Sequence, residues 1–233
     1  MQPYQIIRSK EDLLSHLNSS QKLEIRNLQQ MERYLEMNVP SEVWEDASNK
    51  NLLSFSKELV QETEEFIFFG RGIQYFHLVS FLTNLTELDL QNNKISDISS
   101  ISKLKNLKKL YLSYNYIEDI STLKSLLNLT HLFLSSNKLT SYKLALPNLV
   151  ELSLSGNKLQ DTSGLQHSPK LERLNLSETE TTDLRTIPHQ LFGLKELQLS
   201  SNNITEISYL SNIVDLQSLN LGINKYMQKV KKF

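Results

Sequence analysis

The chain of 233 residues contains no cysteine. That absence excludes disulfide staples, iron–sulfur centres and thiolate chemistry, and it fits a reducing compartment. Net charge is nearly absent as well: 25 Lys and Arg stand against 26 Asp and Glu, so no overall field steers the protein toward nucleic acid or an anionic membrane. No run of about 18 apolar residues occurs, and so no segment reads as a membrane-spanning helix. The N-terminal stretch carries Arg8, Lys10, Glu11 and Asp12 where a signal peptide would place an apolar core. Together these features lead to the expectation of a cytoplasmic protein.

Motifs that carry chemistry are missing too. There is no H-E-x-x-H, no G-x-G-x-x-G, no P-loop and no G-x-S-x-G. The histidines His16, His77, His131, His167 and His189 are scattered. Asp97, Asp119, Asp161, Asp183 and Glu206 recur in register, but an acid ahead of a short helical turn caps its free N–H groups. We read them as caps and not as acid/base or metal-binding groups. No basic stripe is interleaved with aromatics. The expectation is a protein that is not an enzyme, with no cofactor, no metal, no small-molecule substrate, and neither nucleic acid nor membrane as partner. N-x-[S/T] sequons at Asn18, Asn84, Asn128, Asn175 and Asn203 are read as a by-product of composition.

What the chain does have is a period. The pattern L-x-x-L-x-L-x-x-N-x-[L/I] opens at Leu85, Leu107, Leu129, Leu149, Leu171, Leu194 and Leu216, in steps of 22, 22, 20, 22, 23 and 22 residues. Within one copy, Leu88 and Leu90 alternate with Glu87, Asp89 and Gln91; a period of two means a short strand with leucines inward. One such unit cannot bury its leucine face, whereas a stack of them can. The return limb, Ile95, Ile98, Ile101 and Leu104, has the spacing of three that suits 3-10 turns. Asn93, Asn115, Asn137, Asn157, Asn202 and Asn224 end the strands. A buried amide offers donors and an acceptor to the turning backbone, so these residues are expected to form a structural ladder. Thr179 interrupts it, and the fifth repeat is therefore expected to be locally weaker.

The ends depart from the period. Counting 22 residues back from the first clear copy, Phe66, Phe68, Ile73, Phe76, Val79 and Leu82 fall on apolar positions, with Arg71 in place of the Asn. Residues 63–84 thus read as a degenerate first repeat, as terminal repeats often are. Residues 1–62 read as a mostly helical N-terminal cap, with Ser9 to Asp12 as a capping-box variant and Trp44 packed on the first repeat. The solenoid is assigned to 63–224. Residues 225–233, with Lys225, Lys229, Lys231 and Lys232, read as a short basic tail that leaves the C-terminal end of the core open.

The segment LTNLTELDLQNNKISDISSISKLKNLKKLYLSYNYIEDISTLKSL resembles the short 22-residue class of leucine-rich repeat proteins. The class includes the leucine-rich regulatory subunit of type-1 protein phosphatase, the axonemal dynein leucine-rich light chain and bacterial internalins. The resemblance covers about 140 of the 233 residues. It implies an α/β solenoid: a right-handed leucine-rich repeat horseshoe with a parallel concave sheet, short 3-10 or helical convex turns and a capped N-terminus. It also implies a protein partner bound on the concave face, by a scaffold or regulatory subunit that is a monomer or part of a hetero-complex. A secreted or cell-surface adhesin of the internalin type is the alternative.

The residues between the strand leucines should line that face. Of these, Ile67, Phe69, Glu87, Asp89, Lys109, Tyr111, Tyr114, His131, Phe133, Glu151 and Arg173 are the candidate binding residues. The aromatics gather in the N-terminal half, while Ser, Asn and Gln fill the C-terminal half. Exposed aromatics are either used or covered. For Ile67 and Phe69 both readings stand, a partner or the chain's own N-terminal cap; for Tyr111 and Phe133 the reading is a partner.

Overall fold

The computed structural model describes residues 65–67, 83–187 and 191–224. The expected cap over 1–62, Phe69, the side chain of Ile67, Pro188, His189 and the tail 225–233 lie outside the described residues.

Eight short strands follow in chain order: β1 (Glu65–Ile67), β2 (Glu87–Asp89), β3 (Lys109–Tyr111), β4 (His131–Phe133), β5 (Glu151–Ser153), β6 (Arg173–Asn175), β7 (Glu196–Gln198) and β8 (Ser218–Asn220). They form one parallel sheet in which sequence neighbours are also spatial neighbours. The architecture is an open solenoid. Its register is the sequence period made physical: Leu88, Leu110, Leu132, Leu152, Leu174, Leu197 and Leu219 stand side by side across the strands. From Leu88 to Leu197 these leucines are buried and join the core with Leu90, Leu112, Leu134, Leu154, Leu176 and Leu199. Each strand from β2 to β7 carries one of its leucines into this seam, and burial of each is worth about 1.5–3 kcal/mol.

Return limbs close the core from the convex side. Ser99–Lys103, Ser121–Ser125, Ser163–His167, Leu184–Thr186 and Ser208–Asn212 are 3-10 turns. The recurring acids sit just ahead of them and accept backbone N–H bonds: Asp97 from Ser99 (2.8 Å), Asp119 from Ser121 (2.7 Å), Asp161 from Ser163 (2.8 Å) and Asp183 from Arg185 (2.9 Å). Hydrogen bonds to the charged form favour it. Those from the Ser121 and Ser163 backbones lower the carboxyls of Asp119 and Asp161, the latter to about 2, while the Arg185 side chain is the main cause for Asp183.

The unequal repeat lengths leave the sheet untouched and are absorbed on the convex side. The 20-residue copy starting at Leu129 has no 3-10 turn; instead Ser141 makes a β-bridge to Asp161. Tyr142, fully buried, stands where other copies place Ile98 and Ile120. Ser168 stands where they place Leu104 and Leu126, a smaller side chain beside the larger one. Neither the Tyr142 nor the Ser168 hydroxyl has a hydrogen-bond partner among the described residues. Burial drives the Tyr142 phenol pKa up, partly offset by Ser168. The shortened limb also closes onto Gly164, where a Cβ would lie 2.6 Å from the Leu144 nitrogen and 2.8 Å from its oxygen. Only glycine admits that approach.

The ladder asparagines from Asn115 to Asn224 each join two repeats. The Asn115 amide nitrogen donates to the Leu112 carbonyl of its own strand (3.0 Å) and to the Leu90 carbonyl of the preceding repeat (2.9 Å). Its oxygen accepts from the Ile95 amide (3.0 Å). Asn137, Asn157 and Asn224 repeat the set. The weakness expected within the fifth repeat is displaced. Thr179 is itself well held: its hydroxyl donates to the Leu176 carbonyl (2.7 Å), and Asn202 accepts from both the Thr179 and Thr181 amides (3.0 Å each). What a threonine cannot do is reach back. Among the described residues, the Leu159 amide finds no side-chain acceptor like those of Ile95, Ile117, Leu139 and Ile204. The gap therefore lies across the junction between the fourth and fifth repeats. The interior there is unusually polar, with Thr162, Ser168, Thr179 and Thr181 all buried.

Candidate functional site: the concave sheet face

Three columns of side chains run across the concave face, one for each outward position of the strands. Parallel pairing sets neighbouring members of a column about 4.8 Å apart.

The first column is a line of charge, most of it paired along the column. Lys109 meets Glu87 at 2.9 Å, and Arg173 meets Glu151 at 2.8 Å. His131 lies between the two pairs. Its Nδ1 is 2.9 Å from the Thr130 hydroxyl and its Nε2 is 3.9 Å from Glu151. The hydrogen bond from Arg173 to Glu151 holds the guanidinium pKa above its ordinary value. Pairs this exposed contribute about 0–1 kcal/mol each; their main effect is to fix the geometry of the strip.

The second column carries Asp89, Tyr111, Phe133, Ser153, Asn175, Gln198 and Asn220 in order. Tyr111 and Phe133 are register partners. Their rings stack at a centroid distance of 4.9 Å with planes 2° apart. That distance matches the strand spacing, so the rings stand like adjacent plates along the sheet. Both remain half-buried in the described chain. Burial first, and then the charge of Glu87, raises the pKa of the Tyr111 phenol.

The third column is hydroxyl-rich, and it is less open than the alternation implies. Ser113 and Ser177, expected on the accessible face, are buried. Both are acceptors in lateral bonds, Ser113 Oγ from the Ser135 amide (3.2 Å) and Ser177 Oγ from the Ser200 hydroxyl (3.0 Å). The chain turns inward toward the asparagine here and draws the column into the wall.

Tyr114 lies beyond the strand, at the turn. It is 61% exposed and takes a left-handed conformation, φ 58°. Tyr116, which sequence reasoning passed over, is 49% exposed on the same edge, with Lys138 Nζ 5.4 Å from its ring centre. A signal for it was present: the equivalent positions after Asn93, Asn137 and Asn157 are all lysine. Of the candidate residues, the structure thus brings Glu87, Asp89, Lys109, Tyr111, His131, Phe133, Glu151 and Arg173 onto one surface and sets Tyr114 at its rim. Ile67 contributes only its backbone to the description, through its pairing with Asp89.

Among the described residues, no cluster of three or more His, Asp or Glu forms a metal-binding group, and no helix is long and apolar enough to cross a membrane. What the surface offers chemically is an upright stack of two aromatic rings, flanked by charge, on a parallel sheet.

The family model for leucine-rich repeats (2 copies) matches residues 83–125, 127–167 and 147–189. Among solved structures, an internalin (inlF) from Listeria monocytogenes is similar at 30% identity and TM-score 0.69, over 72% of this chain and 50% of its own. A leucine-rich repeat protein from Leptospira interrogans is similar at 26% identity and TM-score 0.64, over 76% of this chain and 46% of its own. An internalin C2 from Listeria monocytogenes shares the fold, at 23% identity and TM-score 0.66 over 72% of this chain and 75% of its own. The chain thus spans half the length of the first of these internalins. No curated protein matches it.

Proposed function

This chain is a leucine-rich repeat protein, and from that premise we propose that it is a non-catalytic scaffold or regulatory subunit that binds a protein partner on its concave face. Leucine-rich repeat folds serve protein–protein interaction, and which partner a given one takes is decided by its variable surface residues. One observation carries the reading. The Tyr111–Phe133 stack stands half-exposed in a sheet whose other described outward side chains are polar or charged. Aromatic side chains held rigidly at the centre of a surface supply most interface energy. The candidate binding residues are therefore Glu87, Asp89, Lys109, Tyr111, His131, Phe133, Glu151 and Arg173, with Tyr114 at the rim; action inside the cell is part of the proposal.

The test is affinity purification of the tagged chain from its native host, with mass spectrometry, run beside the Tyr111→Ala/Phe133→Ala double variant. The double variant is expected to lose its partner by at least about thirtyfold, while its circular dichroism melt stays within a few degrees of the parent. A variant that still retains its partner at full strength overturns the reading. A phosphatase catalytic subunit among the captured proteins supports a regulatory-subunit role, and a cytoskeletal motor supports a light-chain role. The second reading, a secreted or cell-surface adhesin, draws on the 30% identity to an internalin. Finding the native protein on the cell surface or in the medium would favour it.

A further inference from the structure

The ring stack is only two strands long, and its two ends are chemically different. Because the ring planes are 2° apart and the centroids 4.9 Å apart, each outer ring face looks along the sheet toward the next strand. Beyond Phe133 that neighbour is Ser153, a short neutral side chain whose hydroxyl is occupied by Ser135 at 2.6 Å. Beyond Tyr111 it is Asp89. Aspartate is too short to continue the stack, so among the described residues no ring or cation covers the outer face of Tyr111, and a slot is left above the carboxylate.

The charges around that slot are unbalanced. On this half of the face, Lys109 is engaged by Glu87 at 2.9 Å. Farther along, Arg173 is engaged by Glu151 at 2.8 Å. Asp89 makes no ion pair among the described residues. Its two oxygens accept from the Gln91 amide (2.9 Å) and the Gln91 side chain (3.3 Å), bonds that hold the carboxylate in place and leave further lone pairs open. The Tyr111 phenol stands in the same field: beyond its burial, Glu87 opposes its ionisation, Lys109 favours it and Asp89 adds a smaller opposition.

A carboxylate beside the open face of an electron-rich ring is a binding geometry for a cation. The ring quadrupole attracts positive charge within about 6 Å of its centre, and the carboxylate supplies the ion pair. A guanidinium suits the slot better than an ammonium: it is flat, it stacks on aromatic faces, and it presents a planar fork to a carboxylate. Resting on the docking reading above, we infer that the slot bounded by Tyr111 and Asp89 seats an arginine side chain of the protein partner, stacked on Tyr111 and paired with Asp89. The partner segment would thus be basic at this point and neutral where it passes Phe133 and Ser153.

The test uses the full chain and a random peptide library displayed on phage. Selections run on the parent protein, on Asp89→Asn, on Tyr111→Leu and on Tyr111→Ala/Phe133→Ala. Asp89→Asn keeps shape and removes charge, and Tyr111→Leu keeps apolar bulk and removes the ring. Peptides selected on the parent are expected to share an arginine at a recurring position. Replacing that arginine with the neutral isostere citrulline, or testing the same peptide on Asp89→Asn, should weaken binding roughly tenfold. Tyr111→Leu should weaken it to a similar degree.

Peptides that need the ring stack but carry no recurrent cation, or that bind Asp89→Asn unchanged, overturn this inference and leave the docking reading standing. Recurrent lysine in place of arginine overturns the guanidinium assignment. Peptides that bind the double variant as well as the parent, or a library that yields no binder to the parent, overturn both.

Discussion

The two halves of this solenoid are built by one rule and finished differently. From Leu85 to Asn157 the interior is almost wholly aliphatic, the asparagine ladder is continuous, and the sheet displays a ring stack. Between the fourth and fifth repeats the interior takes on Thr162, Ser168, Thr179 and Thr181, the ladder misses a rung, and the sheet beyond shows Ser153, Asn175, Gln198 and Asn220. The scaffold tolerates both because each repeat touches only its neighbours. A local change in one copy costs stability locally and leaves the register of the rest intact. Surface and scaffold can therefore vary independently: the ring stack bridges a regular 22-residue copy and, through Phe133, the 20-residue copy whose convex limb has no 3-10 turn. Rigid support matters for a binding surface, since a platform that shifts must be ordered again when the partner arrives.

That comparison can be broken at several points. The largest effect is expected on the face itself. Tyr111→Ala/Phe133→Ala should remove partner binding, while Asn175→Ala/Gln198→Ala on the polar half should change it by less than about threefold. Equal losses from the two pairs, measured in the same pull-down, would mean that the halves do not differ in function.

Next comes the ladder. Asn115→Ala strands the Ile95 amide and removes one of the two amide donors on each of the Leu90 and Leu112 carbonyls, which keep Asn93 and Asn137, at a cost of roughly 2 kcal/mol. The loss should appear in the urea midpoint, and amide hydrogen exchange should rise at Ile95 first.

Gly164→Ala drives a Cβ into the Leu144 backbone at 2.6 Å. A backbone cannot swing aside as a side-chain end can, so a loss of about 1–3 kcal/mol is expected. Gly193, where an added Cβ would meet nothing within 4 Å, serves as the matched control for alanine substitution.

The smallest effect should have the opposite sign. Thr179→Asn supplies the missing rung and should raise stability by up to about 1 kcal/mol, with protection gained at the Leu159 amide. A drop in the melting temperature would show instead that the junction is packed around the threonine and its hydroxyl partner Thr181, 2.8 Å away.

Much of this was legible in the sequence, and for a physical reason. A repeat makes every copy solve the same burial problem, so seven copies report one structure seven times. The leucine seam, the 3-10 limbs and the register across strands of 20, 22 and 23 residues' spacing all follow from it. The recurring acids read correctly as local caps, because a carboxylate two residues ahead of an amide needs no distant partner. Legibility ended where neighbours in space, and not in sequence, decide. Tyr142 fills a core position in the short copy beside Ser168 of the next repeat, a pairing that no single copy displays. Ser113 and Ser177 obey the alternation but are closed off by lateral hydrogen bonds.

The sequence by itself therefore determined the fold, the register of its repeats and the columns into which the outward residues fall, since periodicity and burial leave only one consistent stack. Only the tertiary structure decided that two aromatics in one column are parallel plates with an acid at one end. It also decided that the cost of Thr179 falls on the repeat before it, and that a single glycine makes the short copy fit. Those are distances between chain segments about 20 residues apart, set by strand spacing and side-chain volume, and no one-dimensional pattern contains them.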